Sequence, residues 1–247
     1  MIRVTGLSKA FGAVRAVQEL SFEAAPGRIT SIIGPNGAGK STAFNLIAGT
    51  LRPDAGSVHL DGRDVTGEPP YRLARLGLAR SFQITNLFFG LSLFENLRLA
   101  CQSGEARSLY LARRDRLRRP AERAGELIER FGLAAHAGEL VGNLSHGDQR
   151  RIEIALCMAL EPRLLMLDEP TQGMSPAETA EIDALIKSVA GGVTVLLIEH
   201  DIDLVMQISD HVIVMHQGRK LFEGAPAEVR ASPLVRAAYL GSEHGAA

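Results

Sequence analysis

Two stretches bring phosphate chemistry and carboxylate chemistry into one chain. "GPNGAGKST" puts Gly34, Gly39, Lys40 and Ser41 into the pattern G-x-x-x-x-G-K-S/T, with Pro35, Asn36, Gly37 and Ala38 between the glycines and Thr42 behind. Glycines here permit backbone angles that aim consecutive N–H groups into an anion-binding nest, where side chains would obstruct a phosphate. Lys40 can reach β- and γ-phosphates, and the Ser41 hydroxyl can ligate Mg²⁺. Downstream, "RLLMLDEP" ends an apolar run in Asp168 and Glu169. Asp168 would hold Mg²⁺ through water, and Glu169 could accept a proton from an attacking water. Alone, that ending also fits a loop start or a helix cap; beside the glycine-rich loop it becomes specific. His200 in "LLIEHD" ends another apolar run. A lone histidine is more often structural, but open α/β sheets bind ligands at strand ends, where Lys40 and Glu169 also belong.

A third stretch, "NLSHGDQRRIEIALCM", reads as a helix start. Ser145 stands three residues before Asp148, the spacing of a capping box, and Ile152, Ala155, Leu156, Ala159 and Leu160 follow at helical intervals. Gly147 in the first turn costs stability relative to alanine, and His146 is an unusual neighbour. Such an N-terminus is either a plain cap or one aimed at an anion.

These residues need a sheet to position them. "MIRVTGL", "VQELSFEA" and "RITSII" are strand-like, a helix is predicted over 40–48, and "AGSVHLDGRDV" reads as a hairpin with Asp61-Gly62 at its tip. From about Leu91 to Leu160 the pattern turns helical. Then "RLLMLD", "VTVLLIEH" and "HVIVMHQG" are short apolar strands, with helices predicted over 176–189 and 202–208. The end suggests a final strand and two short helices. Alternating strands and helices imply an α/β fold with a mostly parallel sheet and an inserted helical lobe. Six arginines lie between Arg107 and Arg119, as a solvated helix face or as a contact for a partner subunit or lipid headgroups; Pro120 is expected to end or restart the helix.

With 247 residues, 46% hydrophobic and 22% charged, the composition is that of an ordinary globular chain. Lys and Arg number 27 against 28 Asp and Glu, so no global basic field argues for nucleic acid. The N-terminus lacks a signal-peptide pattern and no run approaches a bilayer span, so the chain is expected to be soluble and cytosolic. Cys101 and Cys157 have no metal-ligand spacing and are expected to be reduced structural thiols.

The glycine-rich loop (Walker A), the strand ending in Asp168-Glu169 (Walker B) and "LSHGDQR" together resemble the nucleotide-binding subunit of ATP-binding cassette (ABC) transporters across essentially the whole chain. The resemblance implies a P-loop NTPase (RecA-like) core with an antiparallel β subdomain, over 1–90 and 161–247, and an inserted α-helical subdomain over 91–160. It implies ATP and Mg²⁺, with Phe11 stacking on adenine (its alternative being a core phenylalanine near a turn). Gln83 would touch Mg²⁺ or its water, and His200 the γ-phosphate. Two cassettes would close on two ATP molecules, Ser145, His146 and Gly147 of one chain meeting nucleotide held by the other; a homodimer and a heterodimer use the same motifs. Two permease subunits docked near Gln83 to Glu95, a periplasmic binding protein acting indirectly, and a place on the cytoplasmic face of the inner membrane complete the expectation.

The family's usual L-S-G-G-Q departs at His146 and Asp148, and Ser175 in "TQGMS" stands where aspartate is common. A carboxylate at Asp148 could not comfortably face a phosphate, so it is expected to turn back to its own helix or to a basic neighbour. "RLGLARSFQ", "LSHGDQRRIEIA", "LDEPTQGMSP" and "VRAAYLG" look like the ATP-binding subunit of branched-chain amino-acid importers. Urea or amide importers and the lipopolysaccharide exporter's ATPase share parts of the pattern. Rivals of other kinds are a soluble ABC ATPase acting on nucleic acid or ribosomes, and a regulatory module that binds nucleotide without hydrolysing it. Intact Glu169 and His200 argue against the latter.

Overall fold

Backbone pairing builds two sheets in this computed structural model, which describes residues 1–81, 87–104 and 115–240. The first is antiparallel: β1 (Ile2–Phe11), β2 (Val14–Ala24), β4 (Ala55–Leu60) and β5 (Arg63–Asp64), in the order β2-β1-β4-β5. Asp61 and Gly62 both take positive φ at the β4–β5 tip, the geometry expected of that pair. The second sheet has β3 (Ile29–Ile33), β6 (Leu78–Arg80), β7 (Leu164–Asp168), β8 (Thr194–Ile198), β9 (His211–His216) and β10 (Arg219–Gly224), in the order β10-β9-β3-β8-β7-β6. All its pairings are parallel except the β9–β10 hairpin at one edge.

The helices are α1 (Lys40–Ile47), α2 (Pro70–Arg75), α3 (Leu93–Gly104), α4 (Asp115–Arg130), α5 (His146–Ala159), α6 (Pro176–Ala190), α7 (Ile202–Ile208), α8 (Pro226–Ala231) and α9 (Pro233–Leu240). β3, β7 and β8 are buried along their whole length, which is why they read as continuous apolar runs rather than alternating ones. Side-chain alternation then divides them between two cores. Ile33, Leu165, Leu167, Val195 and Leu197 face a core completed by Leu97 of α3, Leu127 of α4, Ile152 of α5 and Ile186 of α6. Ile32, Met166, Leu196 and Ile198 face the other, completed by Phe44 of α1 and by Val4, Leu20 and Val58 of the antiparallel sheet.

Pro120 neither ends nor restarts a helix; it lies buried inside α4. Having no N–H, it forfeits one ladder hydrogen bond there, against which burial of its apolar ring is set. The arginine-rich stretch falls mostly outside the described residues; at its described end Arg118 and Arg119 are exposed, Arg118 Nε lying 3.0 Å from Glu122. Both cysteines are buried. Among the described residues no helix is long and apolar enough to cross a membrane.

Candidate functional site

Strand register assembles the site. Ile32 pairs with Ile198 and Ile198 with Asp168, so β3, β8 and β7 end level and the residues following them share one edge. The loop from β3 to α1 folds tightly there. Gly34 and Gly39 have φ of 153° and 96°, and a Cβ on either would run into a backbone carbonyl, that of Met215 or Ala16 respectively. Only glycine satisfies both conditions. The β9–β10 turn supports the loop, Gly218 N–H donating to Ala38 O at 3.0 Å. No side chain caps α1 and its first turn has no acidic residue, which leaves its positive end facing the loop. Ser41 is exposed, and the buried Lys40 turns its Nζ onto the carbonyls of Gly34 (2.6 Å) and Pro35 (3.2 Å). Burial pushes the Lys40 ammonium below its usual range, against the opposing pull of Glu169 and Asp168.

A cleft of about 570 Å³ is lined by Asn36 to Thr42, Glu169 and His200, with Val14, Arg15, Ala16 and Gln217 at its sides. Glu169 Oε1 and His200 Nε2 are in direct hydrogen-bond contact; with the carboxylate ionised, the ring N–H donates. Glu169 holds φ at 46°, a left-handed conformation uncommon outside glycine, and it persists because its surroundings over-determine it. Its N–H donates to Ile198 O at 2.9 Å. Two residues on, Thr171 donates its N–H (3.0 Å) and hydroxyl (2.8 Å) to Glu199 Oε1, while His200 N–H reaches Glu199 Oε2 at 3.1 Å. Glu199, buried and pushed above the usual carboxylate range by that burial, thus pins the loop after Glu169 to the strand end that carries His200. Sequence reasoning missed Glu199, although it stands beside His200 in the same quoted stretch.

Arg80 was missed as well. Its Nη2 donates to Asp168 Oδ2 at 2.9 Å, its Nη1 to Asn45 Oδ1 at 2.6 Å, and its guanidinium lies 5.3 Å from the centre of the Phe44 ring. Asp168 Oδ1 is left buried with no hydrogen-bond partner among the described residues. A leftover carboxylate oxygen at this strand end, with the exposed Ser41 hydroxyl at the start of α1, fits the oxygen ligands that Mg²⁺ requires. Gln83 lies outside the described residues. Phe11 is no core residue: it is 49% exposed at the β1–β2 turn, paired with Val14, and it does not line the cleft.

Ser145, His146 and Gly147 stand apart from that cleft. Ser145 is the N-cap of α5, accepting from Asp148 N–H at 3.1 Å and donating its hydroxyl to Asp148 Oδ2 at 2.6 Å. Asp148 therefore turns back onto its own cap. Gly147 is buried against α6, where an added Cβ would lie 3.1 Å from Glu178 Oε1. Ser175 closes a capping box with that same Glu178 at the start of α6. Elsewhere, an apolar groove of about 480 Å³ runs between β6, α3 and α5, with Phe88, Leu99, Leu156 and Leu160 in its walls.

Comparison with known proteins identifies the family. The family model described as "ABC transporter" matches residues 17–172, and one described as "Branched-chain amino acid ATP-binding cassette transporter" matches residues 219–245. The high-affinity branched-chain amino acid transport ATP-binding protein LivG of Salmonella typhimurium is 43% identical, with 98% of each chain covered. The corresponding BraF of Pseudomonas aeruginosa is 42% identical with the same coverage. Among solved structures, the ADP conformation of an ATP-binding cassette of an ABC transporter superposes with a TM-score of 0.86 at 29% identity, again with 98% of each chain covered.

Proposed function

The chain belongs to the ABC transporter family, and from that premise we propose that it is the ATP-hydrolysing subunit of an importer for branched-chain amino acids. The observation that carries the chemistry is the pairing of Glu169 with His200 at the mouth of the glycine-rich loop. The substrate class rests on relatives named for branched-chain amino acid transport that align over nearly their whole length, and on the match at residues 219–245.

ATP enters with its phosphates against the 34–42 backbone and the positive end of α1. Lys40 exchanges its carbonyl partners for the β- and γ-phosphates. Ser41, Asp168 and Gln83 would hold Mg²⁺, which would neutralise developing phosphate charge. Glu169 takes the proton of a water attacking the γ-phosphorus as the bond to the β–γ bridging oxygen breaks, yielding ADP and phosphate. His200, already hydrogen-bonded to Glu169, orients that carboxylate and turns toward the γ-phosphate. Ser145, His146 and Gly147 meet the nucleotide of a second cassette, while Phe11, exposed at the β1–β2 turn, would stack on a base that projects beyond the cleft. The helices between 91 and 160 act as the moving lobe. Two permease subunits dock near Gln83 to Glu95, one on each cassette, at the cytoplasmic face of the membrane, and a periplasmic binding protein delivers substrate to them.

The test is reconstitution of the full chain in vesicles with two membrane subunits, a second cassette and a binding protein. Leucine, isoleucine or valine should stimulate ATP hydrolysis and enter the vesicles. Stimulation by urea or short amides in place of these amino acids would overturn the substrate, and failure to hydrolyse ATP in any assembly would overturn the enzymatic reading.

A further inference from the structure

Arg150 lies on α5, five residues after Ser145, and is buried although it is an arginine. A guanidinium is taken out of water only where its donors are met, and here they are met by backbone. Nε donates to Pro170 O at 3.0 Å and Nη2 to Asp168 O at 2.9 Å, the carbonyls on either side of Glu169. Nη1 donates to Glu153 Oε2 at 2.5 Å, one turn further along the same helix. Glu153, itself buried, keeps the fork from rotating away from the two carbonyls. A crevice of about 70 Å³ runs alongside, lined by His146, Gln149 and Arg150 on one side and by Asp168, Glu169 and Gln172 on the other. The N-terminus of α5 and the segment carrying Glu169 are therefore joined in cis by a planar, bidentate, always-charged group.

We propose that Arg150 is a positioning residue that makes α5 and the Asp168–Pro170 segment one rigid unit within the chain. Contact of Ser145 and Gly147 with the nucleotide of a second chain then sets the left-handed backbone of this chain's own Glu169, so that each site is readied by occupation of the other. The inference rests on the reading of the chain as a paired ATPase. Two elements joined at both flanks of a strained residue cannot shift separately without breaking buried charge-assisted bonds, which supplies the physical basis of the coupling.

The experiment compares Arg150→Met and Arg150→Lys with the full wild-type chain. Turnover should fall at least tenfold in Arg150→Met. ATP affinity, read with a fluorescent ATP analogue, should stay within twofold, and Arg150→Lys, which can still reach one carbonyl, should recover part of the rate. In a Glu169→Gln background, Arg150→Met should leave ATP-driven dimer formation, measured by light scattering, within threefold. Turnover unchanged in a folded Arg150→Met, or affinity and dimerisation lost along with turnover, would overturn the proposal. Should the methionine variant fail to fold, Arg150→Lys decides: reduced turnover at unchanged affinity supports the role, and wild-type turnover removes it. Absence of hydrolysis by the wild-type chain would instead remove the function on which the inference rests.

Discussion

Glu169 is a carboxylate with its backbone in a left-handed conformation, its N–H on Ile198 and its side chain on His200. Glu169→Gln keeps the size and the hydrogen-bonding reach but cannot take a proton. ATP binding should be retained while turnover drops about 100- to 10,000-fold, roughly 3 to 5 kcal/mol of barrier, as measured by phosphate release. A variant hydrolysing at near wild-type rate would remove Glu169 from the role of base. Asp148 gives the opposite expectation. Its carboxylate is engaged by the Ser145 hydroxyl and turned toward the cap, so Asp148→Gln should leave the rate close to wild type. A loss exceeding about tenfold, roughly 1.4 kcal/mol, would give Asp148 a direct part in catalysis.

At the scale of elements, caps and edges decide where side chains sit. Ser175, a departure from the family pattern, is explained by its own helix: it closes the capping box of α6 with Glu178, whose carboxyl is held below its usual range chiefly by the Ser175 hydroxyl. Ser175→Ala should cost about 1 kcal/mol in urea unfolding, whereas Ser175→Asp, another good N-cap, should cost little. Equal losses in both would mean that the cap is not what matters. The three-residue strand β6 shows the limit of local reading. Nothing in "LAR" announces a strand, and only its pairing with β7 makes one, yet it delivers Arg80 to Asp168. Helices α1, α6 and α7 were legible because apolar spacing and punctuating residues are local signals.

Across the whole molecule, charge is distributed unevenly between rim and interior. Asp183 of α6 has its carboxyl pushed up to about 6, first by burial and then by Glu199 and Asp201, with Lys187 opposing. An acid raised on folding contributes stability at low pH that is lost as pH rises between about 4 and 6. Asp183→Asn should therefore raise the melting temperature at pH 8 and leave it unchanged near pH 4. An equal shift at both values would assign the effect to packing. The proposed pairing with a second cassette belongs to this scale too, since Ser145 and Gly147 lie outside the cleft that holds Lys40 and Glu169.

By itself the sequence determined the glycine-rich loop, the acidic strand end, the histidine after β8, the helix starts and the family. Each of these is written in a run of adjacent residues, where backbone freedom, hydrogen-bond capacity and periodicity act over a few positions. Only the tertiary structure decided that Glu199 pins the loop after Glu169, that Arg80 takes one oxygen of Asp168, that Arg150 grips the carbonyls on both sides of Glu169, and that Gly147 makes room for Glu178. Those partners are 18 to 88 residues apart in the chain or belong to different helices. They meet because strand register and two buried cores bring them together, and a buried charge then takes whichever polar group lies within reach.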